Sequence, residues 1–306
     1  MSRFGSQPRA PSPWATGLDI SVRDGVMLHA DVRDPPRGER LRGVAVLAHG
    51  LCQHRDIFHR ASGGGLAPFL NHRGIATVYF DFRGHGDSMV PFAVSYDQFV
   101  TLDLPGAVTW ARKHWPQVPV VVVGYDMGGH AALASEACKH LGSDGVAMIA
   151  SQVWLPDWDP SFARRLMKRL FAATARRVLT KRGYFPCHLF PRGTDDEPAS
   201  VLNALLRAPE DGRWCSDDFR VDYVEQLSRV KVPVLSVVSD GDRIMAPPIC
   251  MERMASKHLP RMQIHRISGV LQGVPAPPAA DLLLTGAAKD AWARIADFIP
   301  KASRPS

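Results

Sequence analysis

Residues 118–141 read VPVVVVGYDMGGHAALASEACKHL: an apolar run, a short turn and a helical stretch. Four consecutive valines, Val120–Val123, suit a strand covered on both faces, because β-branched side chains pack on a pleated surface. The alanine-rich stretch after it has high helix propensity. Between them lies Gly124-Tyr125-Asp126-Met127-Gly128-Gly129. A strand that becomes a helix within so few residues forces its apex residue into strained backbone, and only small neighbours let the two elements approach. The apex is Asp126, whose side chain is pushed into the cleft at the carboxyl ends of the strands. The Met127 N–H is placed to meet a developing oxyanion. A helix N-terminus favours negative charge, so the carboxylate is expected to be ionised unless the segment above it desolvates it strongly.

Working outward, strand and helix signals alternate, which predicts a mostly parallel sheet covered by helices on both faces. Residues 17–35 alternate apolar and polar about Asp24-Gly25, a hairpin signal. GVAVLAHG (43–50), IATVYFDF (75–82), GVAMIASQV (145–153) and KVPVLSVVSDGD (231–242) read as buried strands, and MQIHRIS (262–268) as a last one. Helices are expected over Leu66–His72, Tyr96–His114, 247–259 and Lys289–Ile299. From about 154 to 224 the alternation stops and a basic helix, Phe162–Lys181, takes over. This stretch reads as a helical lid inserted into one domain spanning 17–306. Residues 1–16, rich in Pro and Ser, read as a disordered tail.

Two further patterns frame the turn. His49-Gly50-Leu51-Cys52 ends an earlier strand, where the Leu51 N–H would be a second oxyanion donor. Asp81-Phe82-Arg83-Gly84-His85-Gly86-Asp87-Ser88 follows the next strand. In this order and spacing, the three motifs resemble the α/β-hydrolase superfamily across about residues 17–300. They are most similar to its branch of serine aminopeptidases and monoacylglycerol lipases. The resemblance implies the α/β-hydrolase fold and a catalytic triad. Asp242 in Ser239-Asp240-Gly241-Asp242 best matches the family's acid, with Asp240 as its rival.

The departures are specific. Most relatives carry serine where this chain has Asp126. Epoxide hydrolases and haloalkane or haloacetate dehalogenases carry aspartate there, and their carboxylate attacks carbon. Those groups usually have proline where this chain has Cys52, so the frame resembles the serine type with aspartate set into it. The family's histidine is expected after MQIHRIS. The chain instead reads Ser268-Gly269-Val270-Leu271-Gln272, and no histidine follows His265. His265 falls inside the strand and should face away from the cleft. His54 is the candidate substitute, or else a loop residue. His130 should pack beneath the sheet, His85 should belong to the Arg-Gly-His-Gly turn, and His49 should brace the oxyanion loop.

Trp154, Trp158, Tyr184, Phe185 and Trp214 either wall an apolar pocket or pack the lid onto the core. The substrate-binding candidates are Cys52, His54, Tyr125, Trp154, Trp158, Tyr184 and Val270. Asp157 and Asp159 form an alternative acid or a helix cap. The basic helix, with Phe162, Leu166, Leu170 and Val178 between its charges, is either amphipathic with a solvated face or a dock for a carrier- or coenzyme A-linked substrate. The net charge of +7 comes with no nucleic-acid recognition motif. No apolar run approaches the length a membrane span needs. The five cysteines are scattered and fit neither a disulfide framework nor a zinc site, so a reducing, cytoplasmic setting is expected, with no metal or cofactor. Three functions fit: an enzyme using Asp126 as nucleophile or acid–base group, with non-hydrolytic chemistry such as elimination, cyclisation or isomerisation favoured; a hydrolase of esters, thioesters or epoxides with an atypical base; and a lapsed hydrolase that only binds.

Overall fold

The computed structural model describes residues 16–60, 62–189, 193–269 and 275–302. Strands β1 (Leu18–Ser21), β2 (Met27–Arg33), β3 (Gly43–Ala48), β4 (Ile75–Phe80), β5 (Val120–Tyr125), β6 (Gly145–Ile149), β9 (Val234–Ser239) and β10 (Gln263–Ile267) form one sheet. Their spatial order is β1-β2-β4-β3-β5-β6-β9-β10. Strands β1 and β2 are antiparallel, the hairpin expected at Asp24-Gly25, and the six strands from β4 to β10 run parallel. This is the α/β-hydrolase fold.

The valine run explains the centre. Every residue of β3, β4, β5 and β6 is buried, because helices cover both faces. Helices α3 (Leu104–His114) and α4 (Met127–Ala137) lie on one face, over a core that includes Val122, Leu133 and Val146. Helices α1 (Leu66–Asn71) and α9 (Lys289–Phe298) cover the other, over Leu47, Val123 and Ile295. The stretch Tyr96–His114 is not one regular helix. A short α2 (Tyr96–Gln98) passes through a π-helical segment, Phe99–Asp103, before α3 begins. Asp103 in that segment bonds the buried Arg83 guanidinium and the Arg83 N–H. Pro105 sits in the first turn of α3, directly after that segment, and has no N–H to give to the helical turn before it.

Between β6 and β9 lies the inserted segment expected as a lid, hereafter the lid: α5 (Phe162–Arg182), a two-residue pair β7 (Tyr184–Phe185) with β8 (Glu197–Pro198), α6 (Ala199–Asp211) and α7 (Tyr223–Gln226). After β9 comes α8 (Pro248–His258). The orientation of α5 corrects the sequence reading. Its buried residues are Lys168, Ala172, Ala175 and Leu179, while Phe162, Leu166 and Leu170 stay exposed. Alanines at that seam let α5 lie close to α6, and the larger apolar residues are left facing outward. The lid core is small: Ala172, Ala175, Leu179, Phe185, Cys187, Leu202 and Leu206, with Leu51 and Cys52 packed against it.

The cysteines also depart from expectation. Cys52 and Cys187 are joined by a disulfide across 135 residues of sequence. Such a separation carries no spacing signal; only the return of the lid onto the oxyanion loop brings the two together. The expected reducing, cytoplasmic setting rests on unbridged cysteines, and this bridge removes that ground. Among the described residues, no helix is long and apolar enough to cross a membrane.

Candidate active site

The sheet order reverses about β3 and β5, because β4 lies on one side of β3 while β6 lies beyond β5. A cleft opens at the carboxyl ends of strands at such a switch point. The loop after β3 carries Leu51 to this place, and the turn after β5 carries Asp126.

Asp126 adopts φ 46° and ψ −115°, a strained conformation for a residue with a side chain. Two glycines make the geometry possible. A Cβ on Gly128 would lie 2.3 Å from the Ala48 carbonyl oxygen, and one on Gly50 would lie 2.9 Å from the Asp126 Cβ. Both obstacles lie close to the turn, and the first is backbone that cannot swing aside. Gly128→Ala should therefore cost about 2 kcal/mol or more of stability, in the range of overpacked cores. Urea unfolding would measure it.

The Asp126 carboxylate sits between the two backbone donors that hold the oxyanion in serine enzymes of this fold. The Leu51 N–H donates to Oδ2 at 3.1 Å, and the neighbouring Met127 N–H also favours the charged carboxylate. Burial is the largest influence on its acidity. It outweighs both donors, and Asp242 and Glu197 add repulsion, so the pKa is pushed up to about 6. Desolvation of the carboxylate therefore outweighs the helix end dipole, the one circumstance in which full ionisation is not expected.

Asp242 stands where the triad acid is expected. Its Oδ1 accepts the Ile244 and Met245 N–H groups at 3.2 and 2.9 Å, and its Oδ2 accepts the Ala246 N–H at 3.0 Å. Its rival Asp240 instead pairs at the surface with Arg266. Among the described residues, no histidine bonds either Asp126 or Asp242. His265 lies 3.1 Å from Asp290 on α9, away from the cleft as its strand position predicts. His54 accepts the Asp56 N–H and caps a short 3-10 turn, so no bond ties it to Asp126. His130 packs against Tyr96 and Trp214, bonds the Tyr96 hydroxyl at 2.8 Å, and is pushed by burial down to about 3. His49 braces the oxyanion loop. Its Nε2 accepts the Phe82 N–H, which places the ring proton on Nδ1, facing the Gly50 carbonyl.

The lid residue that meets the site most directly is Glu197, which sequence reasoning missed. No local pattern singles out Glu197, the last of three consecutive acidic residues before Pro198. It is fully buried, its Oε2 accepts the Cys52 N–H at 2.8 Å, and its Oε1 lies 3.2 Å from His85 Nε2. Burial alone would disfavour the charged imidazole, but the Glu197 carboxylate outweighs it and pushes His85 up to about 9.

The other predicted site residues divide. Tyr125 is buried beside Gly50 at the turn. Tyr184 lies in β7, half-buried. Trp154 donates its ring N–H to the Met245 carbonyl and covers the Lys168 ammonium, 5.2 Å from the ring centre. It forms part of the wall of a cavity of about 10 Å³ with Asp159, Arg165 and Lys168, room for one water. Trp158 corrects the pocket-wall reading: it is enclosed, edge-on to Trp214 and His258, and presents 1% of its surface. Asp159 is committed to Arg164, Lys168 and the Ser161 N–H, which makes it a cap and not an alternative acid. Asp157 is exposed beside Lys257. Val270 lies outside the described residues.

The family model for serine aminopeptidase, S33, matches residues 39–270. A monoacylglycerol lipase of Mycolicibacterium smegmatis is 34% identical over 107 residues, 34% of this chain and 35% of that one. The solved structure of a monoacylglycerol lipase from Paleococcus ferrophilus has a TM-score of 0.58 at 17% identity, covering 90% of this chain and 99% of that chain. For an esterase of Pyrococcus furiosus the TM-score is 0.61 at 16% identity, with 98% and 99% covered. At these identities the structural likeness concerns the fold.

Proposed function

Since the chain belongs to the serine aminopeptidase S33 family of α/β-hydrolases, we propose that it is an enzyme of this fold in which Asp126 moves a proton on a small, largely apolar substrate. One observation carries the reading: the Asp126 carboxylate is seated on the Leu51 and Met127 N–H groups and its pKa is raised to about 6. A carboxyl poised there can take and return a proton near neutral pH. As a base, it accepts the proton of a C–H bond, and the electron pair passes to a neighbouring carbonyl oxygen. Once neutral, it is a poorer acceptor, and the two N–H groups are released toward that oxygen. Return of the proton at another carbon is isomerisation; loss of a leaving group in its place is elimination.

Ester hydrolysis fits this site less well. Attack by Asp126 on an ester would produce an anhydride whose hydrolysis needs an activated water, and no histidine follows His265 to provide one. The α5 surface bears on the substrate. Arg169, Arg177, Lys181 and Arg182 are exposed on the same helix as the exposed apolar Phe162, Leu166 and Leu170, and the helix has no acidic residue. That mixture suits an acyl group on an anionic carrier, such as a coenzyme A thioester.

Incubation with p-nitrophenyl butyrate checks the hydrolytic alternative. The expected result is no burst, no turnover above the solvent rate and no mass increase on the peptide containing Asp126. A burst followed by steady hydrolysis, both lost in Asp126→Ala, would replace proton transfer with covalent hydrolysis.

A further inference from the structure

Every polar atom of Cys52 is held by the lid. Its N–H donates to Glu197 Oε2 at 2.8 Å, its carbonyl accepts the Thr194 and Asp195 N–H groups at 2.9 and 3.3 Å, and its sulfur is bonded to Cys187. Cys52 is itself in left-handed backbone, φ 62°, and directly follows Leu51, whose N–H meets the Asp126 carboxylate. A residue in that conformation needs external bonds to stay there. Here they all come from residues 187–197.

Glu197 differs from the other tethers. The carbonyl bonds and the disulfide fix the far side of Cys52, whereas Glu197 takes the N–H of the peptide unit shared with Leu51. That unit and the preceding one, which carries the Leu51 N–H, hinge on the Leu51 Cα. Glu197 is held in turn by the His85 ring, by its pairing with Phe185 in the β7–β8 ladder, and by complete burial. Asp195, two residues earlier, accepts the Gly86 N–H and ties the same segment to the Arg-Gly-His-Gly turn.

We propose that Glu197 is a positioning residue for the Asp126 site, holding the oxyanion loop at Cys52 so that the Leu51 N–H stays on the Asp126 carboxylate. Its functional weight rests on Asp126 being the working group, but its test measures no turnover. A failure of this inference is therefore distinct from a failure of the proton-transfer reading.

The test is an NMR titration of the oxidised, full-length protein, following the Leu51 amide proton and the Asp126 side-chain carbon. A carboxylate that accepts an amide N–H pulls that proton downfield as it ionises. In the wild type, the Leu51 amide should therefore titrate with the Asp126 midpoint. Glu197→Gln should keep the Leu51 response, because the amide oxygen still accepts from Cys52, while its Asp126 midpoint shifts down as the Glu197 repulsion is lost. Glu197→Ala removes the acceptor, and Glu197→Asp keeps the charge but draws it back by one methylene. Both should lose more than half of the Leu51 response, and in Glu197→Asp, which keeps the repulsion, the Asp126 midpoint should rise by about one pH unit because a donor to the carboxylate is lost. The amide signals of α5 and α6 should stay in place in all three. An unchanged Leu51 response in Glu197→Asp, or in Glu197→Ala, overturns the proposal. So does a Gln variant that fails to restore the response, or a loss accompanied by displaced α5 and α6 signals, which marks general loosening of the lid. If Glu197→Ala does not fold, the Asp and Gln variants decide.

Discussion

Asp126→Asn should abolish proton exchange between D2O and the α-carbons of small apolar ketones and thioesters. The expected loss is about 100-fold or more, the size of a positioned acid–base group's contribution. Asparagine keeps an oxygen to accept the Leu51 and Met127 N–H groups, so the turn should be preserved while the exchangeable proton is lost. Proton NMR of a substrate panel reads the exchange, and circular dichroism verifies the fold. The pH dependence has a definite sign. On the proposed reading Asp126 is a base only when ionised, so the wild-type rate should rise with pH through about 6 and level off above it. Retention of full exchange in Asp126→Asn would remove this residue from the chemistry.

The same substitution should stabilise the protein at neutral pH. A group whose folded pKa lies above its unfolded value binds more protons when folded between the two values, so stability falls as pH rises through that window. For Asp126 the window runs from 3.8 to about 6. The difference corresponds to at most about 3 kcal/mol of stability lost once this partly buried carboxyl is ionised. Asp126→Asn cannot ionise. Compared with the wild type, it should therefore gain about 2–3 kcal/mol at pH 7.5 and gain little at pH 3.5. Urea unfolding of both proteins at the two pH values tests this, and an equal difference at both would show that ionisation of Asp126 is not the source. The paired outcome is a stability gain with activity lost, as expected where a site keeps a destabilised group for its chemistry.

Much of this site is legible in the sequence because it is local. The turn around Asp126 is written in six consecutive residues, and the glycines there are required by backbone that would collide with a Cβ. Leu51 and Asp242 are legible for the same reason, each at the end of an apolar strand. The lid contribution is not local. Glu197 and Cys187 act on Cys52 across 145 and 135 residues of sequence, and neither stands in a pattern that points back to it. The outward face of α5 misleads because the seam uses alanine, so the conspicuous apolar residues are not the packed ones. Trp158 misleads similarly: an aromatic in a lid can wall a cleft or fill a core, and only its neighbours Trp214 and His258 decide between them. The acidity of Asp126 depends on a balance between burial and donors. The donors follow from the motif, but the burial depends on the packing of the whole site.

The most direct measurement is the pKa of the Asp126 carboxyl itself, followed through its side-chain 13C resonance, with the signal assigned by its absence in Asp126→Asn. It needs no substrate and reports whether the group seated in the oxyanion donors is poised for proton transfer. The account predicts a midpoint of about 6. A midpoint at or below the ordinary carboxylate value would mean that the donors outweigh burial, leaving a fixed anion at neutral pH, and would contradict the proton-transfer reading.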